Sequence, residues 1–341
     1  MDILIGLLII AIGSFGQSSS YVPINKVKEW SWESFWLVQG IFAWLIFPLA
    51  GMLAALPHDV GIGTLLQCDG AGMAVIYGML WGVGGLTFGL SMRYLGVALG
   101  QSVSLGTCSA FGTLIPALMA GTDLLHGDGL ILLIGVMITL AGIAVIGYAG
   151  TLRARNMDEA EKRAAIRDFA LTKGLAVALL SGVMSACFAL GLDAASTVKA
   201  TVAAHGAQPL LAGLPSILLV TTGGFITNAV YCIYQNIKNK TGKEYFGVKP
   251  SVWGNNLLFC ALAGGLWYSQ FFGLETGKIY LGDSPVLLAF SWSILMSLNV
   301  LFSNLWGVVL KEWKGCNRRT IATLAVGLAI LIASIFFPSI F

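Results

Sequence analysis

Ten stretches of about 20 apolar residues follow one another along this 341-residue chain, near 3–23, 34–56, 71–92, 96–120, 128–151, 173–196, 210–235, 253–275, 284–310 and 320–340. Nothing else in the sequence restricts the fold as much. A bilayer core about 30 Å thick is crossed by roughly 20 residues of α-helix, and lipid offers no partner to a peptide N–H or C=O. Each stretch is therefore expected to be a transmembrane helix, which makes the chain an all-α integral membrane protein. Charged residues are only 10% of the total, against roughly 25% in soluble domains, and the mean hydropathy is +0.84. The first stretch, DILIGLLIIAIGSFG, has no basic leader and is long enough to span, so it is expected to be helix 1 rather than a cleaved signal.

Basic residues orient the spans. Of the 19 lysines and arginines, 17 fall in odd-numbered connections; the even-numbered ones hold only Lys199 and Lys278. Odd connections are thus expected in the cytoplasm and both termini outside. The longest connection, 152–172, mixes charges with alanines and suggests an amphipathic cytoplasmic helix between a first half, 1–151, and a second half, 173–341. Each half has five helices. Five is odd, so the second half enters from the opposite side, as in an inverted repeat. The segments 78–96 and 264–282 align without a gap, matching Gly78, Leu80, Trp81, Tyr94, Leu95 and Gly96 to Gly264, Leu266, Trp267, Tyr280, Leu281 and Gly282.

Polar side chains at membrane depth are costly unless paired, which makes them candidates for function. Helical spacing puts Ser14, Gln17, Ser18, Tyr21 and Asn25 on one face of helix 1, and Thr221, Asn228, Tyr231 and Gln235 on one face of helix 7. Helix 4 aligns Gln101, Ser104 and Cys108; helix 8 aligns Asn256, Trp267 and Gln270, with Tyr268 and Glu275 on the flank. Helix 9 carries Ser293, Ser297 and Asn304 on one stripe and Trp292, Asn299, Ser303 and Trp306 on another. Ordinary interhelical hydrogen bonds account for such serines and threonines. Carboxamides both donate and accept, and beside aromatic faces they suit the hydroxyls and C–H surfaces of a neutral sugar. The expected substrate contacts are Gln17, Trp81, Gln101, Asn228, Trp267, Tyr268, Gln270, Asn299 and Asn304. An anionic substrate would call for buried Arg or Lys; Arg93, at a helix end, is explained by snorkelling.

Acids near the membrane are few. Glu33 opens helix 2 beside Trp30, Trp32 and Trp36, where the helix dipole favours a negative charge. Asp193 and Glu275 stand toward the outward ends of helices 6 and 8, with Lys199 and Lys278 near enough in sequence for ion pairs. The alternative role is to carry a driving proton, with Asp193 and Glu275 as the embedded candidates and Glu33 third, because low dielectric favours a neutral acid. Six cysteines without a CxxC pair and three isolated histidines supply neither a disulfide framework nor a metal site, so no metal or cofactor is expected. A net charge of +3 does not suggest a nucleic-acid partner. A membrane enzyme would need convergent catalytic groups, a sensor an appended domain, and a channel rings of like charge or carbonyls. None of these is present in the sequence.

KVKEWSWESFW (26–36), WGVGGLTFGLSMRYLG (81–96), LWYSQFF (266–272), SWSILMS (291–297) and VLKEW (309–313) occur in this order over nearly the whole chain. Together they closely resemble the L-rhamnose–proton symporters, a family of the drug/metabolite transporter superfamily. The resemblance implies a ten-helix inner-membrane symporter with an inverted five-helix repeat, importing L-rhamnose or a related neutral or deoxy sugar with a proton by alternating access. The chain departs from the family pattern at Gly85 and Thr87, where the pattern has asparagines. Gln17, Gln101 and Asn304 stand where members carry small or aliphatic residues, and Asp193 and Glu275 are not acids in that pattern. The frame is kept while the polar lining changes. Export or exchange of another small metabolite is the alternative that the superfamily fold also serves.

Overall fold

A computed structural model describes residues 2–95, 97–155, 171–282, 284–311 and 313–340. Among these, ten helices are long and apolar enough to cross a membrane: α1 Asp2–Ile24, α2 Trp32–Ala55, α3 Ala71–Met92, α4 Gly100–Met119, α5 Gly127–Arg153, α6 Thr172–Ala204, α7 Leu214–Asn239, α8 Pro250–Tyr280, α9 Pro285–Val309 and α10 Arg318–Ser339. They match the ten apolar stretches one for one. Two run longer than hydropathy alone indicates. A second helical piece, Ser196–Ala204, continues α6, and α8 extends through Glu275 to Tyr280. Most of the expected linker helix, at 156–170, lies outside the described residues, as does Gly96 of the repeated segment.

The helices form two compact units. The first comprises Met1–Gly82 and Gly191–Tyr280, and the second Val83–Leu190 and Leu281–Phe341. The first unit therefore contains α1, α2, the start of α3, the end of α6, α7 and α8.

Its tightest seam joins α1 to α8, where small residues recur every four positions at Ser269, Gly273 and Gly277. A methyl group on Gly13 would stand 2.7 Å from the Ser269 carbonyl oxygen and 3.1 Å from the Gly273 Cα. The two backbones thus touch without side chains between them, the usual way for lipid-immersed helices to gain dispersion energy. The Ser269 hydroxyl adds a bond to the Gly13 carbonyl at 3.1 Å.

The second unit closes around an apolar core of Ile143, Ile146, Val300, Leu324 and Leu331, contributed by α5, α9 and α10. In its α3–α6 pair, the Ser181 hydroxyl donates to the Gly84 carbonyl at 2.9 Å.

Candidate functional site

The centre of the first unit is built from tryptophans. Trp32 and Trp36, one turn apart on α2, stack at 5.3 Å with planes 17° apart. Trp44, eight residues further along, would diverge from Trp36 by about 80° on regular α-geometry. Pro48 removes the amide that would bond the Trp44 carbonyl and crowds that carbonyl with its ring. The chain responds with a π-helical turn over Ile41–Ile46, in which the Phe47 N–H reaches back to the Phe42 carbonyl. This wider turn returns Trp44 to the Trp36 side, with ring centroids 5.8 Å apart and planes at 71°.

Trp44 then meets Trp81 of α3 edge-on at 5.8 Å and Trp267 of α8 at 6.0 Å. Trp81 and Trp267, matched in the sequence alignment, lie 5.7 Å apart. Phe271 extends the group at 5.1 Å from Trp267. Asn228 of α7 anchors it by accepting the Trp36 indole N–H at 3.0 Å while donating to the Gly224 carbonyl at 2.9 Å. Trp44, Trp81, Asn228 and Trp267 each stand within about two residues of the centre of their spans. In helical transporters, substrate sites lie at this midplane depth.

The expected contact residues divide between the units. Trp81, Asn228 and Trp267 come together as just described. Gln270 is buried about one and a half turns from Glu275, and its amide donates to the Trp267 carbonyl at 3.1 Å. Tyr268 is buried with its ring tip against Gly51 of α2, and its hydroxyl finds no hydrogen-bond partner among the described residues. Gln17, half-buried on α1, accepts from the Ser18 hydroxyl at 3.3 Å.

Gln101, Asn299 and Asn304 belong to the second unit. Asn299 is buried, Gln101 and Asn304 are half-buried, and the Asn304 amide donates to the Val300 carbonyl of its own helix at 2.9 Å. Near them in sequence, Trp292 stacks on Phe188 at 5.9 Å, and the Ser293 hydroxyl bonds those of Ser109 at 3.0 Å and Thr113 at 2.8 Å. Asn256, placed on the polar stripe of helix 8 by spacing, instead caps the 25–31 connection, exchanging bonds with the Lys28 backbone at 2.9 and 2.7 Å. Trp44 is the member that sequence reasoning missed. Helical periodicity hides it, and only Pro48 hints at the altered turn.

The three carboxylates differ. Asp193, expected to be embedded, is instead exposed on α6, because it lies on a face of the helix where, among the described residues, no neighbour's polar group meets it. Glu275 is buried between two ammonium groups, Lys199 and Lys278, each 2.8 Å away. Glu33, equally buried, accepts from the Asn239 amide and the Thr241 hydroxyl, both at 2.9 Å, on a single oxygen. Beside it, outside the spans, burial pushes the Tyr245 phenol up, and that hydroxyl takes the Asn236 amide at 3.0 Å. Among the described residues, no three His, Cys, Asp or Glu side chains are grouped to hold a metal ion.

The family described as L-rhamnose-proton symport protein matches residues 1–337. Relatives from Yersinia pestis (strain Pestoides F) and Yersinia pseudotuberculosis serotype O:1b (strain IP 31758), both named L-rhamnose-proton symporter, are 34% identical over 342 residues. The alignments cover 97% of this chain and 95% of theirs. Ten spans, a mid-span aromatic and amide cluster and similarity from end to end agree: the chain belongs to the L-rhamnose-proton symport protein family.

Proposed function

We propose that this protein imports L-rhamnose, or a closely related neutral or deoxy sugar, together with a proton by alternating access across the bacterial inner membrane. Similarity along the whole chain to relatives of that name supports the reading, and the observation that carries it to a site is the mid-span cluster of Trp44, Trp81, Trp267 and Asn228. Aromatic faces cover the C–H surface of a sugar, and amides and phenols address its hydroxyls. Tyr268 and Gln270, adjoining Trp267 on α8, and Gln17 on α1 supply further polar groups. Gln101, Asn299 and Asn304 are proposed to serve transport from the second unit. Both termini face outward in this reading, because 17 of the 19 basic residues lie in odd connections.

The inverted repeat is also proposed. If α1–α5 correspond to α6–α10, a contact of α3 with α7 corresponds to one of α8 with α2. A methyl on Gly78 of α3 would meet the Val220 backbone of α7, and one on Gly264 of α8 would meet Phe42 and Ala43 of α2. The α1–α8 and α6–α3 pairs also correspond, and each is closed by a serine hydroxyl bonding a glycine carbonyl, with the serine on α8 in the first and on α6, the counterpart of α1, in the second. Trp81 and Trp267, equivalent under this mapping, would then flank the pseudo-two-fold axis.

Uptake of a panel of labelled sugars into proteoliposomes, with and without an inside-alkaline pH difference, tests the function. L-rhamnose or a near relative should accumulate only with the gradient. Failure of every sugar to accumulate would reject the reading. Gln270→Leu should weaken sugar binding by roughly 1–3 kcal/mol, the cost of stranding buried partners.

A further inference from the structure

We propose that Glu33 is the residue that binds the coupling proton, and that its protonation loosens a joint between the start of α2 and the end of α7; this rests on the proton-symport reading above. The joint is built from side chains more than 200 residues apart. Asn239 donates to one Glu33 oxygen, the single Thr241 hydroxyl proton is shared between that oxygen and the Asn236 side-chain oxygen at 2.9 Å each, and the Ser34 hydroxyl donates to the same Asn236 oxygen at 3.1 Å. Further along the same seam, the Ser31 N–H donates to a Glu244 oxygen at 2.6 Å and the Trp30 indole to the Glu244 carbonyl at 2.9 Å.

The partners of Glu33 are neutral. Lys238, Lys240 and Lys243, on the elements packed against it, are exposed and make no ion pair with it among the described residues. The titratable neighbours are Cys232 on α7, Glu244, and Tyr245 reached through Asn236. A proton added to this carboxylate therefore strands no cation, and it weakens two accepted hydrogen bonds at once. Glu275 is the opposite case, since protonation there would leave two partly exposed lysines without their buried anion. Asp193 is exposed and, among the described residues, makes no hydrogen bond or ion pair with a second element, so it holds no joint. In this scheme the symported proton enters from the outward-open pocket with the sugar and adds to Glu33, which releases the joint; it then leaves to the cytoplasmic side as Asn239 and Thr241 close again on the carboxylate.

The test uses purified protein in proteoliposomes, with two readouts: accumulation driven by a pH difference alone, and counterflow exchange of labelled against unlabelled sugar. Glu33→Gln should reduce the accumulation ratio to one while still exchanging, and Glu33→Asp should restore part of the accumulation. Asn239→Leu and Thr241→Val, which leave Glu33 in place, should move the pH at half-maximal exchange upward by about half a unit or more, because each removes a donor to the charged form. These two variants answer the question even if Glu33→Gln does not fold. Accumulation by Glu33→Gln equal to wild type, or pH profiles unmoved in both donor variants, overturns the assignment alone. Wild-type protein that exchanges sugar but gains nothing from a pH difference overturns the symport reading, and the assignment with it.

Discussion

Glu33 and Glu275 are two carboxylates of the same compact unit, each 6% exposed, and they are stabilised in opposite ways. Glu275 sits between Lys199 and Lys278 near the end of α8. Glu33 is held by an amide and a hydroxyl next to the start of α8, where Asn256 caps the neighbouring connection. Along the helix axis, Asn256 and Glu275 are about 29 Å apart, close to the full thickness of a bilayer core. Burial alone therefore does not mark a carboxylate as a proton carrier. The charge state of its partners decides whether losing its own charge costs the fold a great deal or little.

Swapping each acid for its amide tests this contrast most directly. Glu275→Gln removes the anion from two lysines. Breaking a buried pair this way costs about 3–5 kcal/mol, but Lys199 is 44% exposed and Lys278 24%. Solvent screens part of the loss, and about 2 kcal/mol is expected. A lower Tm of the detergent-solubilised protein reports it, while the folded fraction should still accumulate sugar under a pH difference. Glu33→Gln keeps an oxygen for Asn239 and Thr241 and should lose under about 1 kcal/mol. If Glu275→Gln lost coupling without losing stability, the roles assigned to the two acids would be reversed.

Asn239→Leu sharpens the Glu33 side. It takes a donor from a buried carboxylate and should cost about 1–2 kcal/mol. The penalty falls on the charged form, so it should be largest at high pH and shrink as acid neutralises Glu33. Unfolding midpoints for wild type and variant, followed from neutral pH down into the acid range where carboxylates protonate, would show the difference shrinking only on acidification, and a constant difference would contradict the argument.

Lys278→Met should have a smaller effect, about 1 kcal/mol or less, because Lys199 still pairs with Glu275. The smallest effect is expected for Asp193→Asn. With an exposed side chain, it should leave both Tm and pH-driven accumulation at wild-type values. A loss of accumulation in Asp193→Asn would bring this residue back as the proton site.

How much of this was legible in the sequence varied from element to element. Most spans were readable to within about four residues because a lipid environment imposes one length and one composition on every crossing, as α2 and α7 illustrate. Lys278 lies three residues from Glu275 on the same helix, so that ion pair was also within reach of spacing arguments. Lys199 was not, since its approach to Glu275 depends on how α6 ends and α8 packs. Trp44 escaped because Pro48 changes the helix geometry between it and Trp36, and periodicity arguments assume a regular helix. The role of Asn256 escaped as well: its place near the start of helix 8 was readable, but its capping of the 25–31 connection depends on how α8 packs against a distant segment.

The sequence by itself determined the solvent, the number of crossings and the family, because each follows from local composition or from motifs kept in order along the chain. Only the tertiary structure decided that Trp81 and Trp267 face each other, that Asn228 holds Trp36, and that Glu33 has neutral partners 206 and 208 residues away. A hydrogen bond or ring contact between distant segments depends on which helices pack together, and helix packing in lipid is set by small-residue fit between surfaces that are equally apolar. Hydropathy cannot rank such surfaces, so the partners of each buried polar group emerge only once the helices have docked.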